Sequence, residues 1–224
     1  MADLEIIARI RSPFAGKFGI PRQSGLVQNV AATVVFEPAY RSADAVRGLD
    51  GFSHIWLLWQ FSENLRTGWT PTVRPPRLGG NERVGVFATR SPFRPNAIGM
   101  SSVRLEKVEL DPELGPVLHV SGADLMDGTP ILDIKPYLAY TDSHPDAKGG
   151  FTDVTSMKLL DVDVSPEWLE KIPPEHREGL VGVLRCDPRP RYQDDPTRIY
   201  GITYAGKNVK FTVAGDVLTV VEVE

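Results

Sequence analysis

The chain has 224 residues, 42% hydrophobic and 24% charged, with a formal net charge of −4. That length and balance suit one large or two small globular domains, and no apolar run reaches the roughly 18 residues needed to span a bilayer as a helix. A single cysteine, Cys186, excludes an internal disulfide and a cysteine-rich metal site, and the opening MADLEIIARIRSPF lacks the basic and apolar regions of a secretory signal, so a reducing cytoplasm is the expected compartment.

Residues 5–10, 30–36, 54–61, 84–89, 100–105, 117–120 and 137–140 read as strands, being rich in Val, Ile, Phe and Trp and bounded by turn residues. Residues 42–47 read as a short helix with Ser42 as N-cap and Gly48 just past its end. Many strands, few helical periods, 19 prolines and 20 glycines predict a mostly β barrel or sandwich. The stretch TDSHPDAKGGF is polar and glycine-rich and marks a boundary. Beyond Asp163 come two helices with proline near the first turn, over 166–171 and 173–184, then strands at 199–204, 207–213 and 217–222 joined by glycine turns. The expected organisation is a β domain over 1–145 followed by a small α+β domain over 146–224.

The charge is unevenly spread. The windows 66–104 and 185–210 hold 13 of the 25 basic residues and 4 of the 29 acids. Basic density on an acidic protein points to a located anion site rather than general polyanion affinity. The two commonest glycine-rich nucleotide cradles are absent, as is the G-x-S-x-G elbow. The four histidines lack metal-ligand spacing, no metal is expected, and His54 reads as a core histidine. The arginines near Cys186 are of a kind that lowers a thiol pKa, although a lone cysteine carries no function by itself.

Four polar clusters remain. IPRQSG places Arg22 and Gln23 after the rigid Pro21. FSENLRTGW brings Ser62 and Glu63 to a strand end, where small ligands sit. GVFATRSPFRPNAIGMSS carries Arg90, Arg94 and Asn96 among Phe87, Phe93 and Ile98, with Pro92 and Pro95 restricting the backbone before them. GADLMDGTPILDIKPY carries Asp124, Asp127, Asp133, Lys135 and Tyr137; an Asp-Gly turn accounts for Asp127 and Gly128.

In this order PRQ, GFSHIWLL, RPPRLGGNERVGVFATRSPFRPNAIGMS and DLMDGTPILDIKPY resemble the TsaA-like family, the S-adenosylmethionine-dependent tRNA methyltransferases of the tRNA-methyltransferase-O type. RCDPRPRY and YGITYAGKNVKF resemble the small C-terminal domain of its bacterial members, so the resemblance covers nearly the whole chain. It implies a β-barrel catalytic domain, a homodimer, S-adenosyl-L-methionine as cofactor, and methylation at N6 of threonylcarbamoyladenosine beside the anticodon of threonine tRNA. By motif position, the implied cofactor contacts are Pro21, Arg22, Gln23, Ser62, Glu63, Arg90, Leu125, Met126, Asp127 and Gly128. Ser62 and Glu63 are carried over by position alone. A non-catalytic RNA-binding barrel, or a methyltransferase of this fold acting on another RNA or a small molecule, are the alternatives.

The N6 nitrogen of such a substrate is bonded to a carbonyl, so its lone pair is delocalised and its proton must be removed; Asp133 and Tyr137 are the candidate bases. Arg94 and Asn96 are expected on the substrate side, Arg94 as a fork for the threonyl carboxylate, with Lys135 nearby. Arg74, Arg77, Arg185, Arg189, Arg191, Lys207 and Lys210 are candidates for tRNA phosphates, and Tyr192, Tyr200 and Tyr204 for stacking on loop bases. Deleting the chain after Asp163 is expected to weaken tRNA binding and to leave cofactor binding intact.

Overall fold

Strand β3, His54–Gln60, shows how the sequence builds the first domain: Ile55, Leu57 and Trp59 are buried while the residues between them are half-exposed. The same alternation runs through β1, Ala8–Arg11, and β2, Ala31–Phe36. The structure, a computed structural model, describes residues 4–64, 68–154, 158–189 and 195–224. Arg191, Tyr192 and the side chain of Arg77, all named above, lie outside the described residues, as does Arg66 of the basic window 66–104. A short hairpin pairs β4, Thr72–Val73, with β5, Val84–Gly85. The long β6, Ile98–Asp111, turns through Gly115 into β7, Gly115–Ser121, and β8, Pro130–Pro136, follows. Six of these strands close into a barrel in the order β1-β2-β7-β6-β3-β8, with every neighbouring pair antiparallel. Ile10, Val34, Ile55, Leu57, Leu118 and Ile131 fill its interior.

The smaller unit is a four-stranded sheet with helices. Its strands are β9, Asp161–Asp163; β10, Tyr200–Tyr204; β11, Lys207–Ala214; and β12, Val217–Val223, in the order β10-β11-β12-β9 with β9 parallel to β12. Among the described residues, three α-helices follow the barrel: α1, Ala139–Asp142; α2, Pro166–Glu170; and α3, Arg177–Arg185. Helix α3 packs Leu180, Val183 and Leu184 into this second core.

The two units share a segment. The loop between β1 and β2 sends Phe14, Val27 and Val30 into the core of the smaller unit rather than into the barrel. Phe14 has no exposed surface and meets Tyr204 edge-on at 5.5 Å between ring centroids, and the Ala205 amide donates to the Pro13 carbonyl at 2.8 Å. A Cβ on Gly179 would stand 2.8 Å from the Asn29 carbonyl oxygen and 2.4 Å from the Tyr204 hydroxyl, so only glycine lets α3 come this close.

Several elements differ from the sequence reading. Residues 137–140 are not a strand; the strand is Pro130–Pro136, where bracketing prolines and the charged Asp133 and Lys135 hide a β pattern. Residues 86–88 and 43–46 are 3-10 turns, and Ser42 makes no side-chain cap. Strand β6 runs on to Asp111 because its far half pairs with β7 while showing charged residues to solvent.

Candidate active site

A cavity of about 910 Å³ opens at the end of the barrel where β3 finishes and β6 begins. Three separate stretches wall it, together with these strand ends: Lys17 and Ile20–Gln23 from the β1–β2 loop, Phe87–Asn96 in part, and Asp124–Met126 with Thr129. Gln60, Phe61, Ser62 and Glu63 form the rim after β3.

Most of the expected cofactor contacts meet here. Pro21, Arg22, Gln23, Ser62, Glu63, Arg90, Leu125 and Met126 all line the cavity. Arg90 donates from Nη1 to Gln23 Oε1, and Gln23 Nε2 donates to the Arg22 carbonyl at 2.5 Å, tying the first cluster to the third. Asp127 and Gly128 do not line it. Asp127 accepts the Ser12 amide at 3.0 Å and donates its own amide to the Phe14 carbonyl at 2.8 Å, while the Gly128 amide bonds Ile10 and its carbonyl accepts from Arg9. These two hold the turn against β1, and Gly128 supplies the left-handed φ of 75° that the turn requires.

The substrate-side expectations fare differently. Arg94 and Asn96 line the cavity, but Arg94 Nη1 is engaged with the carbonyls of Thr89 at 3.1 Å and Ser91 at 3.5 Å, strapping its own loop. Asp133 and Tyr137, expected beside the cofactor turn, lie elsewhere. Asp133 pairs with Lys135 at 2.9 Å on the barrel wall, which also occupies Lys135. Tyr137 packs on Trp56 and His54, and its amide bonds the His54 carbonyl. The seven-residue β8 separates turn from tyrosine by about 20 Å at roughly 3.3 Å per residue.

In the smaller unit, Arg189 is nearly buried, with 10% of its side chain exposed, and forks onto Asp187 at 2.8 and 3.0 Å. Lys210 bonds Glu222 and Glu224, and both bonds raise its pKa. Tyr204 has no exposed surface and Tyr200 is buried against Phe211, so neither offers a face to a base. Lys207 sits at the β10–β11 hairpin opposite Tyr204, away from the cavity. The Cys186 thiol is pushed up by burial, which outweighs Arg22 and Arg185, so the arginines do not activate it.

The sequence reading gave no role to Asp124, Ser101 and Trp59. Trp59 Nε1 donates to Ser101 Oγ at 3.0 Å, and Ser101 Oγ donates to Asp124 Oδ1 at 2.5 Å. Ser101 is fully buried and Asp124 half-buried at the cavity wall. Burial pushes the Asp124 carboxyl above the ordinary carboxylate range, against the Ser101 bond and the positive charge of Arg90, which pull it down. One signal was available: Asp124 stands between Ala123 and Leu125, both about 1% exposed, a place where an acid needs a reason.

A closed barrel with apolar walls, arginines and a shielded carboxylate at one mouth defines a small-molecule-binding barrel, in the size range of about 300–1,000 Å³ common for ligand sites. Residues 9–143 match the tRNA-methyltransferase O N-terminal domain and residues 158–224 the TrmO C-terminal domain, and the chain belongs to this family. It is 43% identical over 219 residues to an Escherichia coli K12 protein named tRNA (adenine(37)-N6)-methyltransferase, covering 94% of this chain and 93% of that one. It is 42% identical over 208 residues to a Pseudomonas aeruginosa protein named "Putative S-adenosylmethionine-dependent methyltransferase RcsF", covering 88% of this chain and 86% of that one. A crystal structure of TrmO from Pseudomonas aeruginosa superposes with a TM-score of 0.81 at 33% identity, covering 100% of this chain and 98% of that chain.

Proposed function

We propose that the chain is an S-adenosylmethionine-dependent methyltransferase acting on N6 of adenosine 37 in tRNA, and that its substrate is the threonylcarbamoylated base of threonine tRNA. The observation that carries this is the convergence on one cavity of residues from three distant sequence clusters, the arginine- and amide-bearing IPRQSG and ATRSPFRPN and the turn after Gly122. The cavity suits the cofactor chemically. Ile20, Phe61, Leu125 and Met100 offer apolar surface, Arg22 and Arg90 offer cationic forks for a carboxylate, and Asp124 and Glu63 offer negative charge toward a sulfonium. When bound, S-adenosylmethionine supplies an electrophilic methyl group whose sulfonium charge disappears on transfer.

The protein's share of the work is alignment and proton removal. Holding donor and acceptor in line is worth about 7–11 kcal/mol in favourable cases. The Gln23–Arg90 bond and the Arg94 strap fix the loops that do this, and the prolines around Arg94 keep them stiff. Assembly as a homodimer, a cytoplasmic location and preference for threonine tRNA are further parts of the proposal, supported by the family resemblance of the motifs.

The experiment is incubation with methyl-labelled S-adenosylmethionine and threonine tRNA, with and without the threonylcarbamoyl group. Label is expected only on the modified tRNA. Equal labelling of both would remove the modified base as substrate, and no labelling of either would remove the methyl-transfer reading.

A further inference from the structure

The cavity wall carries a carboxylate, Asp124, held by a buried polar chain. Ser101 has one proton and no contact with solvent. The Trp59 indole donates to its oxygen, so that proton is committed to Asp124 Oδ1. Gly99 makes the arrangement possible, because any Cβ there would fall 2.3–2.7 Å from the Trp59 ring. Trp59 faces Gly99 across β3 and β6, and Leu57 faces Ser101, so the strand register itself delivers the serine. A buried polar chain of this kind costs stability unless fully satisfied, and the apolar barrel core does not need it. It ends at the cavity, where Arg90 is the charged group that pulls the carboxylate's pKa down and Arg22, Arg94, Lys17 and Glu63 are the other charged groups lining that space.

Resting on the methyl-transfer reading, we infer that Asp124 is the base that takes the N6 proton of the target adenine, held in position by Ser101 and Trp59. As the N6–methyl bond forms, the sulfur–methyl bond breaks with its electron pair left on sulfur. The N6–H pair becomes the nitrogen lone pair, and the proton passes to the Asp124 carboxylate, which returns it to water after product leaves. A carboxylate with an ordinary pKa would be a weak base for this task; shielding brings it closer to working pH.

The full chain carrying Asp124→Asn keeps the shape and the acceptor for Ser101 but cannot take a proton. Single-turnover transfer to threonylcarbamoylated tRNA is expected to fall roughly 10²–10⁴-fold, with loss of the acid limb that the wild type shows. Calorimetric affinity for S-adenosylhomocysteine is expected to stay within about threefold. Ser101→Ala removes a bond that favours the ionised form, so its acid limb moves to higher pH with a smaller loss of rate. Asp124→Asn turning over at more than about a tenth of the wild-type rate would overturn the assignment. So would a matching loss of S-adenosylhomocysteine affinity, or an unchanged acid limb with weaker S-adenosylmethionine binding alone, which would make Asp124 a charge partner only. Should Asp124→Asn fail to fold by circular dichroism, the Ser101→Ala profile decides: an unmoved limb refutes the proposal. The wild type is measured first, so its inactivity on tRNA refutes the methyl-transfer reading itself, whereas an active wild type makes each result above bear on Asp124 alone.

Discussion

At the cavity end of β3, Trp59 donates to Ser101, which donates to Asp124. At the other end, Trp56 Nε1 donates at 2.8 Å to Asp142, which also accepts the Leu138 amide at 3.0 Å and closes the turn of α1. Both ends thus link a tryptophan to an aspartate, yet the two acids are driven in opposite directions. The Leu138 amide and the Trp56 indole hold the Asp142 carboxyl below its ordinary range, whereas burial holds Asp124 above it. Asp142, open to solvent, is a fastener whose two donors win; Asp124, whose burial outweighs its donors, is poised to take a proton.

The largest effects should come from the prop that only the cavity end has. Phe14 lies in the second unit's core while its loop carries Arg22 and Gln23 to the cavity. Phe14→Ala should cost about 3–5 kcal/mol in denaturant unfolding and weaken S-adenosylhomocysteine binding in calorimetry. For the same reason, removing residues 158–224 should cost cofactor affinity by tenfold or more, at roughly 1.4 kcal/mol per decade, in contrast to the expectation from sequence that the second unit serves tRNA alone.

Next, Gly99→Val must displace the Trp59 ring. It should cost about 1–3 kcal/mol by overpacking and abolish transfer, while Tyr137→Phe at the opposite end leaves transfer unchanged. The two acids can then be set against each other by pH. Asp124, with a raised native pKa, binds more protons folded than unfolded, so its contribution to stability is greatest below the unfolded value and declines as pH rises toward the folded one. Asp142, with a lowered native pKa, contributes above its unfolded value and loses that contribution as pH falls through the folded one. At neutral pH Asp124→Asn should therefore leave the thermal midpoint unchanged or raise it, and Asp142→Asn should lower it. The smallest effect belongs to the barrel wall: Lys135→Ala breaks an exposed pair worth about 0–1 kcal/mol and should not alter transfer.

The barrel was legible because β2 and β3 alternate cleanly, and the second sheet because its glycine turns are explicit. Strand β8 was not, since Pro130 and Pro136 resemble loop residues and the pairing partners that make Ile131 a core position lie far away in the chain, on β1 and β3. The cavity's arginines could be read from proline-stiffened motifs, but not which end of β8 each acid would occupy. Asp133 and Tyr137 looked close to the turn in sequence because a strand converts a few residues into a long distance. Asp124 was visible as an acid among apolar neighbours; its partner Ser101 was not, because only the β3–β6 register joins them.

The four tryptophans provide a direct test. In an indole N–H NMR spectrum of the intact chain titrated with S-adenosylhomocysteine, the Trp59 resonance, bonded to Ser101 at the cavity wall, should shift, and that of Trp56, bonded to Asp142, should stay in place. A shift of Trp56 with Trp59 unmoved would put the ligand at the opposite end of the barrel and contradict the account.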